Sequence, residues 1–393
     1  MNQINYKGLI SKSLSNHTKN IINSDQNELL TYYIEDQIGN LDINLYYQAN
    51  EIFNIDKSRK AYSLGHSIED KTHINYLFKE IDKIIDLDFK EVKSNNGSDI
   101  DIYSVKNVSY WDEYVVGEAI PQIIKEGSWW DIIWLDKTSK QRVNNFELNT
   151  IVHEIGHALG LSHPFEDPFN PQWDSSDTVM SYNISKEGWN TWFSDKDLLA
   201  LISLWGREND NGEINFENPY EKYKIKRSTN KKIFIKSEIG YEEIKDIEKI
   251  NFADKSIKYQ EDIIDVFNLL EGVDDITGKI YRLYTSAFDR FPDKSGYDYW
   301  IKINKSNQNT YNQTISSFIG SIEFEKKYGT NSTNDVFVQN LYENILSRES
   351  DKDGYIYWLN QLESGQENRT DVLRNFSESV ENISLFKEMT GLD

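Results

Sequence analysis

The 393-residue chain contains no cysteine. Disulfide frameworks, thiolate zinc sites and cysteine nucleophiles are therefore excluded, and any zinc has to be held by histidine and carboxylate. Basic residues are in the minority: 43 Lys and Arg against 65 Asp and Glu give a formal charge of −22. Such a field repels phosphate backbones, which argues against a nucleic-acid partner. Long apolar runs are also missing. No stretch reaches the roughly 18 residues that a membrane-spanning helix needs. The polar start, residues 1–40, has no apolar segment of signal-peptide length. What the chain does have is core-forming material: 38% hydrophobic and 13% aromatic residues, with 10 Trp and 24 Tyr. Its length suits two domains and a small third.

Residues 1–30 read as a polar leader with some helical potential. Ile43-Asn44-Leu45-Tyr46-Tyr47 is strand-like in composition. From Thr72 to Phe89 the apolar residues Ile74, Leu77, Phe78, Ile81, Ile84 and Ile85 share one face of a helix. After the break at Ser94–Ser98, the run Ile100–Val105 alternates as a strand, and Ile132–Leu135 is a further strand candidate. A helix is expected from about Asn149 to Leu159. Strands followed by that helix predict an α+β domain over residues 31–207. Residues 208–275 read as a linker with short β pieces, at Lys232–Ile235 and Ile247–Phe252, and residues 276–393 as all-helical.

The last third repeats itself. Tyr284, Arg290, Asp293, Gly296, Tyr299, Trp300, Phe318 and Ser321 recur as Tyr342, Arg348, Asp351, Gly354, Tyr357, Trp358, Phe376 and Ser379, always 58 residues later. One constant register across these positions means two copies of one helical unit. Asp351-Lys352-Asp353-Gly354 offers two carboxylates near a glycine, so calcium is a candidate at Asp293 and Asp351. The plainer reading is a helix cap and tight turn, and it is preferred. Tyr299, Trp300, Tyr357 and Trp358 read as core aromatics of the repeat before carbohydrate-stacking rings.

The chain has 6 histidines, and three of them fall in His153-Glu154-Ile155-Gly156-His157-Ala158-Leu159-Gly160-Leu161-Ser162-His163. A spacing of four puts His153 and His157 one helical turn apart on one face, within reach of one metal. Glu154 falls to the side, placed to take a proton from a metal-bound water. Gly160 accepts the left-handed backbone that stops the helix, and Pro164 keeps it from resuming. His163 can then return to the same ion. Three neutral imidazoles leave room for water and substrate, as in catalytic rather than structural zinc sites. Downstream, Thr178-Val179-Met180-Ser181-Tyr182 places a methionine two residues before a tyrosine. His17, His66 and His73 stand alone and read as ordinary residues.

This motif with the Val-Met-Ser-Tyr stretch resembles the metzincin zinc peptidases, and most closely the serralysin branch (peptidase M10 type). The likeness spans roughly residues 30–207 and includes Phe193–Leu198 and Leu204-Trp205-Gly206 as a closing helix. It implies a mixed twisted sheet with an active-site helix. It also implies one catalytic Zn2+ on His153, His157 and His163, with Glu154 as base and Met180 as the floor of a Met-turn. Tyr182 would reach the metal or donate to the oxyanion, and Gly117–Pro121 would be the strand along the cleft. The chain departs from that branch in having no glycine- and aspartate-rich calcium repeats, so calcium has no recognisable repeat behind it. Its tail resembles a domain of unknown function, DUF4214, through Arg290–Trp300 and Arg348–Trp358.

The expectation is a zinc endopeptidase acting on protein or peptide substrates, without membrane span or nucleic-acid partner. By analogy it would be extracellular, exported through a type I-like route without a Sec signal. The alternative is a surface or adhesion protein. There the C-terminal repeat, meeting a cell-surface or secretion partner, is the working module, and the metal domain is inactive or self-processing.

Overall fold

The computed structural model describes residues 5–25, 28–49, 52–109, 111–125, 127–137, 144–209, 212–237, 239–245, 247–329, 332–346 and 348–392. The chain divides into two compact units, Met1–Glu208 and Asn209–Asp393. The architecture is mixed α+β with a helical C-terminal region.

In the first unit a single 3-10 turn, Tyr6–Leu9, leads into α1 (Lys12–Asp25), followed by β1 (Leu29–Ile34), β2 (Ile38–Ala49) and β3 (Ile52–Leu64). Then come α2 (Ile68–Ile81), β4 (Asp88–Val92), β5 (Ile100–Val108), β6 (Gly117–Ile124), β7 (Gly127–Leu135), α3 (Asn145–Ala158) and α4 (Asp195–Trp205). Strands β4, β1, β5 and β7 lie side by side and parallel. Strand β6 runs antiparallel on the far side of β7. The β2–β3 hairpin joins through β3 to the end of β5. Parallel strands are covered on both faces and so lose the alternation of a half-exposed strand. Strand β7 shows this: Trp130, Asp131, Ile132, Ile133 and Trp134 are all buried in succession. Pro121, which has no N–H to give, is tolerated because β6 pairs with β7 and with no other described strand.

The helical period around Thr72 overran its helix. Helix α2 starts at Ile68, after a capping box in which the Asp70 amide donates to Ser67 Oγ at 3.0 Å and the Ser67 amide to Asp70 Oδ2 at 3.0 Å. It ends at Ile81. The side chain of Asp82 then accepts the Phe89 amide at 2.9 Å, which turns the chain into β4. Ile85 is buried but lies beyond the helix, in an isolated bridge to Arg207, so its apolar character continued the period without continuing the helix. Helix α3 starts earlier than expected, at Asn145, capped by the Asn144 side chain on the Glu147 amide at 3.1 Å.

The polar leader is not a separate segment. Leu9 and Ile21 are buried in the first unit, and the Thr18 hydroxyl reaches the end of α3. Its polar composition hid a few apolar contacts and many hydrogen bonds.

The second unit opens with β8 (Glu213–Asn215), β9 (Lys224–Arg227), β10 (Ile233–Ser237), β11 (Gly240–Ile244), β12 (Lys249–Asn251), β13 (Ser256–Lys258) and the short α5 (Asp265–Leu269). These make two small sheets, ordered β11-β10-β9 and β13-β12-β8. The stretch read as a linker is thus folded: Phe216, Tyr220, Tyr223 and Ile225 belong to the same core as the helices. Among the described residues eight helices follow: α6 (Ile276–Phe288), α7 (Lys294–Lys305), α8 (Tyr311–Ile319), α9 (Ile322–Tyr328), α10 (Asn334–Leu346), α11 (Lys352–Glu363), α12 (Arg369–Ser377) and α13 (Val380–Thr390). The first helix of each copy starts at Ile276 and Asn334, and every later pair keeps the same offset. Asp293 caps α7 through the Gly296 amide at 2.7 Å, and Asp351 caps α11 through the Gly354 amide at 2.8 Å. Arg290 pairs with Glu323, as Arg348 does with Glu381. Trp300 and Trp358 pack against Phe318 and Phe376 in the core, whereas Tyr299 and Tyr357 are exposed.

Candidate metal centre

His153 and His157 lie on α3, and the loop beyond Gly160 brings His163 back to them. The ring pairs are 4.8, 5.3 and 4.9 Å apart between centroids. One nitrogen from each lies within 4.8 Å of the others, so the three could hold a metal ion. Two rings are oriented by their remaining nitrogen. His153 Nδ1 lies 2.9 Å from the Val179 carbonyl and His157 Nδ1 2.9 Å from the Leu161 carbonyl. A carbonyl only accepts, so each Nδ1 carries the proton and each Nε2 presents its lone pair. His153 Nε2 and His163 Nε2 are buried with no hydrogen-bond partner in the protein. Orphaned buried acceptors are costly, and these two converge on one point. Burial pushes all three imidazoles down, His153 well below its ordinary value and His157 to about 4. Neutral nitrogen donors aimed at one point fit a cation.

Glu154 is buried between α3 and β6. Burial, then the nearby Glu118, raises its pKa to about 8, and the Ala119 amide donates to it and opposes the rise. Strand β6 comes close enough only because residue 117 is glycine: a Cβ there would sit 2.4 Å from Glu154 Oε1. Glu118 is held by an ion pair with Arg59 and by the Trp111 indole at 2.8 Å.

Met180 is fully buried. Its sulfur packs on Gly156, where a Cβ would lie 2.9 Å from Sδ. Tyr182 is partly exposed, with its ring 5.0 Å from His163 and 5.3 Å from His153. Burial, then Glu154, raises its hydroxyl to about 12. Gly160 has φ +98°, the left-handed turn that the motif requires.

His153, His157, His163 and Tyr182 therefore lie together, with Met180 on Gly156 between the first two histidines, whereas Gly160 packs against Ser15 and Leu204. Sequence reasoning missed several supports. Asp197 is buried at the start of α4. It accepts the Thr178 hydroxyl at 2.5 Å, the Val179 amide at 3.0 Å and the Ser194 amide at 2.9 Å. It thus ties Val179, the partner of His153, to α4. The Ser194-x-x-Asp197 capping pattern was a visible signal for that helix start, but its reach to residues 178–179 was not. Gly117 and Gly156 act only by lacking a side chain, and the pattern of a single chain does not reveal that.

Residues 315–386 match the family model described as "Domain of unknown function (DUF4214)". The match runs from α8 of the first copy into α13 of the second. No curated protein matches the chain. Among the described residues, no helix is long and apolar enough to cross a membrane.

Proposed function

We propose that the chain is a zinc-dependent endopeptidase of the metzincin kind. The observation that carries this reading is the convergence of three histidine nitrogens next to Glu154, a buried carboxylate on the same helix as two of them. A zinc ion held by His153, His157 and His163 would supply Lewis-acid polarisation of the scissile carbonyl and acidify a water. Glu154 takes a proton from the attacking water and passes it to the leaving amine. Its place between α3 and β6 keeps it out of bulk solvent. The Tyr182 hydroxyl donates to the oxyanion. An extended peptide would lie along the edge of β6 away from β7, the only described strand that β6 pairs with, through main-chain pairing with the groups left there. Water is the nucleophile, so no acyl-enzyme forms. An extracellular setting belongs to the same proposal.

The test is hydrolysis of an unfolded protein such as casein by zinc-loaded chain, beside Glu154→Ala. Cleavage that chelation abolishes, and that the variant lacks while retaining zinc, supports the reading. No cleavage by the parent with one zinc bound removes it.

A second reading is favoured by one feature of the repeat. Tyr299 and Tyr357 are both exposed, and so are Ile322 and Val380 at the other pair of equivalent positions. Two equivalent exposed apolar features suit a surface or repeated partner. Binding of full-length Glu154→Ala chain to cell surfaces, lost on Tyr299→Ser with Tyr357→Ser, would favour it.

A further inference from the structure

Helix α3 ends at Ala158, and the carbonyls beyond its last turn have to find donors elsewhere. The Thr18 hydroxyl donates to the Ala158 carbonyl at 2.6 Å, the Trp205 indole to Leu159 at 2.9 Å and the Ser11 amide to Gly160 at 3.0 Å. In return the Ser162 amide donates to the Leu9 carbonyl at 2.8 Å, and Ile10 and Leu161 form an antiparallel bridge. Residues 9–11 therefore pair with 160–162, immediately before His163. On the other side of that histidine, Phe165 and Glu166 have φ of 52° and 61°. Side-chain-bearing residues rarely adopt this left-handed backbone, so surrounding contacts must hold it. One such contact is Gly8, where a Cβ would sit 2.5 Å from the Phe165 ring. Ser15 lies so near Gly160 that a Cβ on the glycine would be 2.8 Å from its own. Helix α1 is itself anchored to the sheet, by the Trp130 indole on Thr18 Oγ1 at 3.0 Å and by His17 Nε2 against the Trp129 carbonyl at 2.9 Å.

We propose that residues 8–18 are a brace that positions His163, so that metal affinity depends on this segment staying seated. The inference rests on the metal reading of the histidines and is independent of proteolysis. It assigns the segment a lasting place in the working protein, in contrast to a pro-segment that is removed. Thr18, Ser11 and Gly8 are positioning residues: they act through the carbonyls of 158 and 160 and through Phe165.

The test is Zn2+ affinity by chelator competition on the full chain, with the visible absorption of the Co2+ form as a second readout. Thr18→Val keeps the shape and removes the donor; Gly8→Val displaces Phe165. Each is expected to weaken Zn2+ binding by about tenfold or more, the usual effect of losing a group that orients a ligand, and Gly8→Val to change the Co2+ spectrum. Thr18→Ser, which keeps the hydroxyl, should restore parental affinity. Hydrogen exchange on the unmutated chain needs no variant to fold. By reciprocity, Zn2+ should slow exchange across residues 8–18 as well as across α3. Parental affinity in both variants, or protection gained in α3 alone, would overturn the brace. No Zn2+ bound by the unmutated chain would overturn the metal reading beneath it.

Discussion

Gly117 stands so close to Glu154 that a Cβ would fall 2.4 Å from Oε1 and 2.7 Å from Thr150 Cγ2. The edge of β6 and the buried carboxylate are thus held at a separation that no other residue type allows. Gly117→Ala has to push Glu154 off its position or lift the strand. On the proposed peptidase reading, a displacement near 1 Å at the general base costs about 100-fold in rate, and that is the expected loss in kcat/KM for casein-derived peptides. Zinc content should stay at the parental value, because the histidines are not touched. Unchanged turnover would show that the strand yields freely.

Asp197 carries a different load. Its two oxygens hold Thr178 and Val179 and cap α4, and Val179 in turn orients His153. Asp197→Ala removes these bonds together and leaves the Val179 amide buried without an acceptor. A lost buried hydrogen bond of this kind costs about 1–3 kcal/mol, so unfolding midpoints in urea should drop. On the metal reading of the histidines, zinc affinity should fall by about 10–100-fold, as for other groups that orient a ligand. Asp197→Asn keeps one acceptor oxygen and should lie between parent and alanine in both measurements.

These two cases show what could be read in the chain. The histidine cluster and the turn at Gly160 were legible because the motif sets fixed residue types at fixed spacings. The repeat was legible because one register holds at many positions. The supports were not legible, for physical reasons. Gly117 and Gly156 work through space that they leave empty, and Asp197 works through an oxygen that reaches back to residues 178 and 179. The leader read as polar chain with some helical potential because its attachment is mostly hydrogen bonding, by Thr18 and by the Ser11 amide, which leaves no apolar period. The same error occurred at residues 208–230. There Phe216, Tyr220 and Tyr223 are core residues set among polar neighbours, and the polar majority masked them.

Asp101 and Asp131 are direct neighbours on β5 and β7 and both are buried. Burial raises Asp101 to about 8, with hydrogen bonding from Ser98 opposing and Asp131 adding; burial raises Asp131 to about 6. Unfolded, each titrates near the ordinary value of about 3.9. The folded state therefore binds more protons between about pH 4 and about pH 8, and stability falls as pH rises through that window. Asp101→Asn retains an acceptor for Ser98 and removes the titration. Its stability relative to the parent should improve steadily from pH 5 to pH 8 in parallel urea titrations. Two profiles that stay parallel would mean that Asp101 is charged in the fold at neutral pH.

The two copies of the C-terminal repeat permit a matched experiment. A Cβ at Gly296 would lie 2.3 Å from the Tyr284 hydroxyl oxygen, and one at Gly354 would lie 2.3 Å from that of Tyr342. Both tyrosines are buried, so their rings have little room to retreat. Alanine at a helical glycine ordinarily gains about 1 kcal/mol in propensity. Here overpacking, which costs about 1–3 kcal/mol, should outweigh that gain, and both Gly296→Ala and Gly354→Ala should destabilise the second unit. Tyr284→Phe removes the oxygen that the new methyl meets, so Gly296→Ala should cost less in that background than alone. The same dependence should hold for Gly354→Ala with Tyr342→Phe, measured as a double-mutant cycle in urea. Additive costs in both cycles would show that the tyrosine hydroxyls do not set the spacing of α6 from α7 and of α10 from α11.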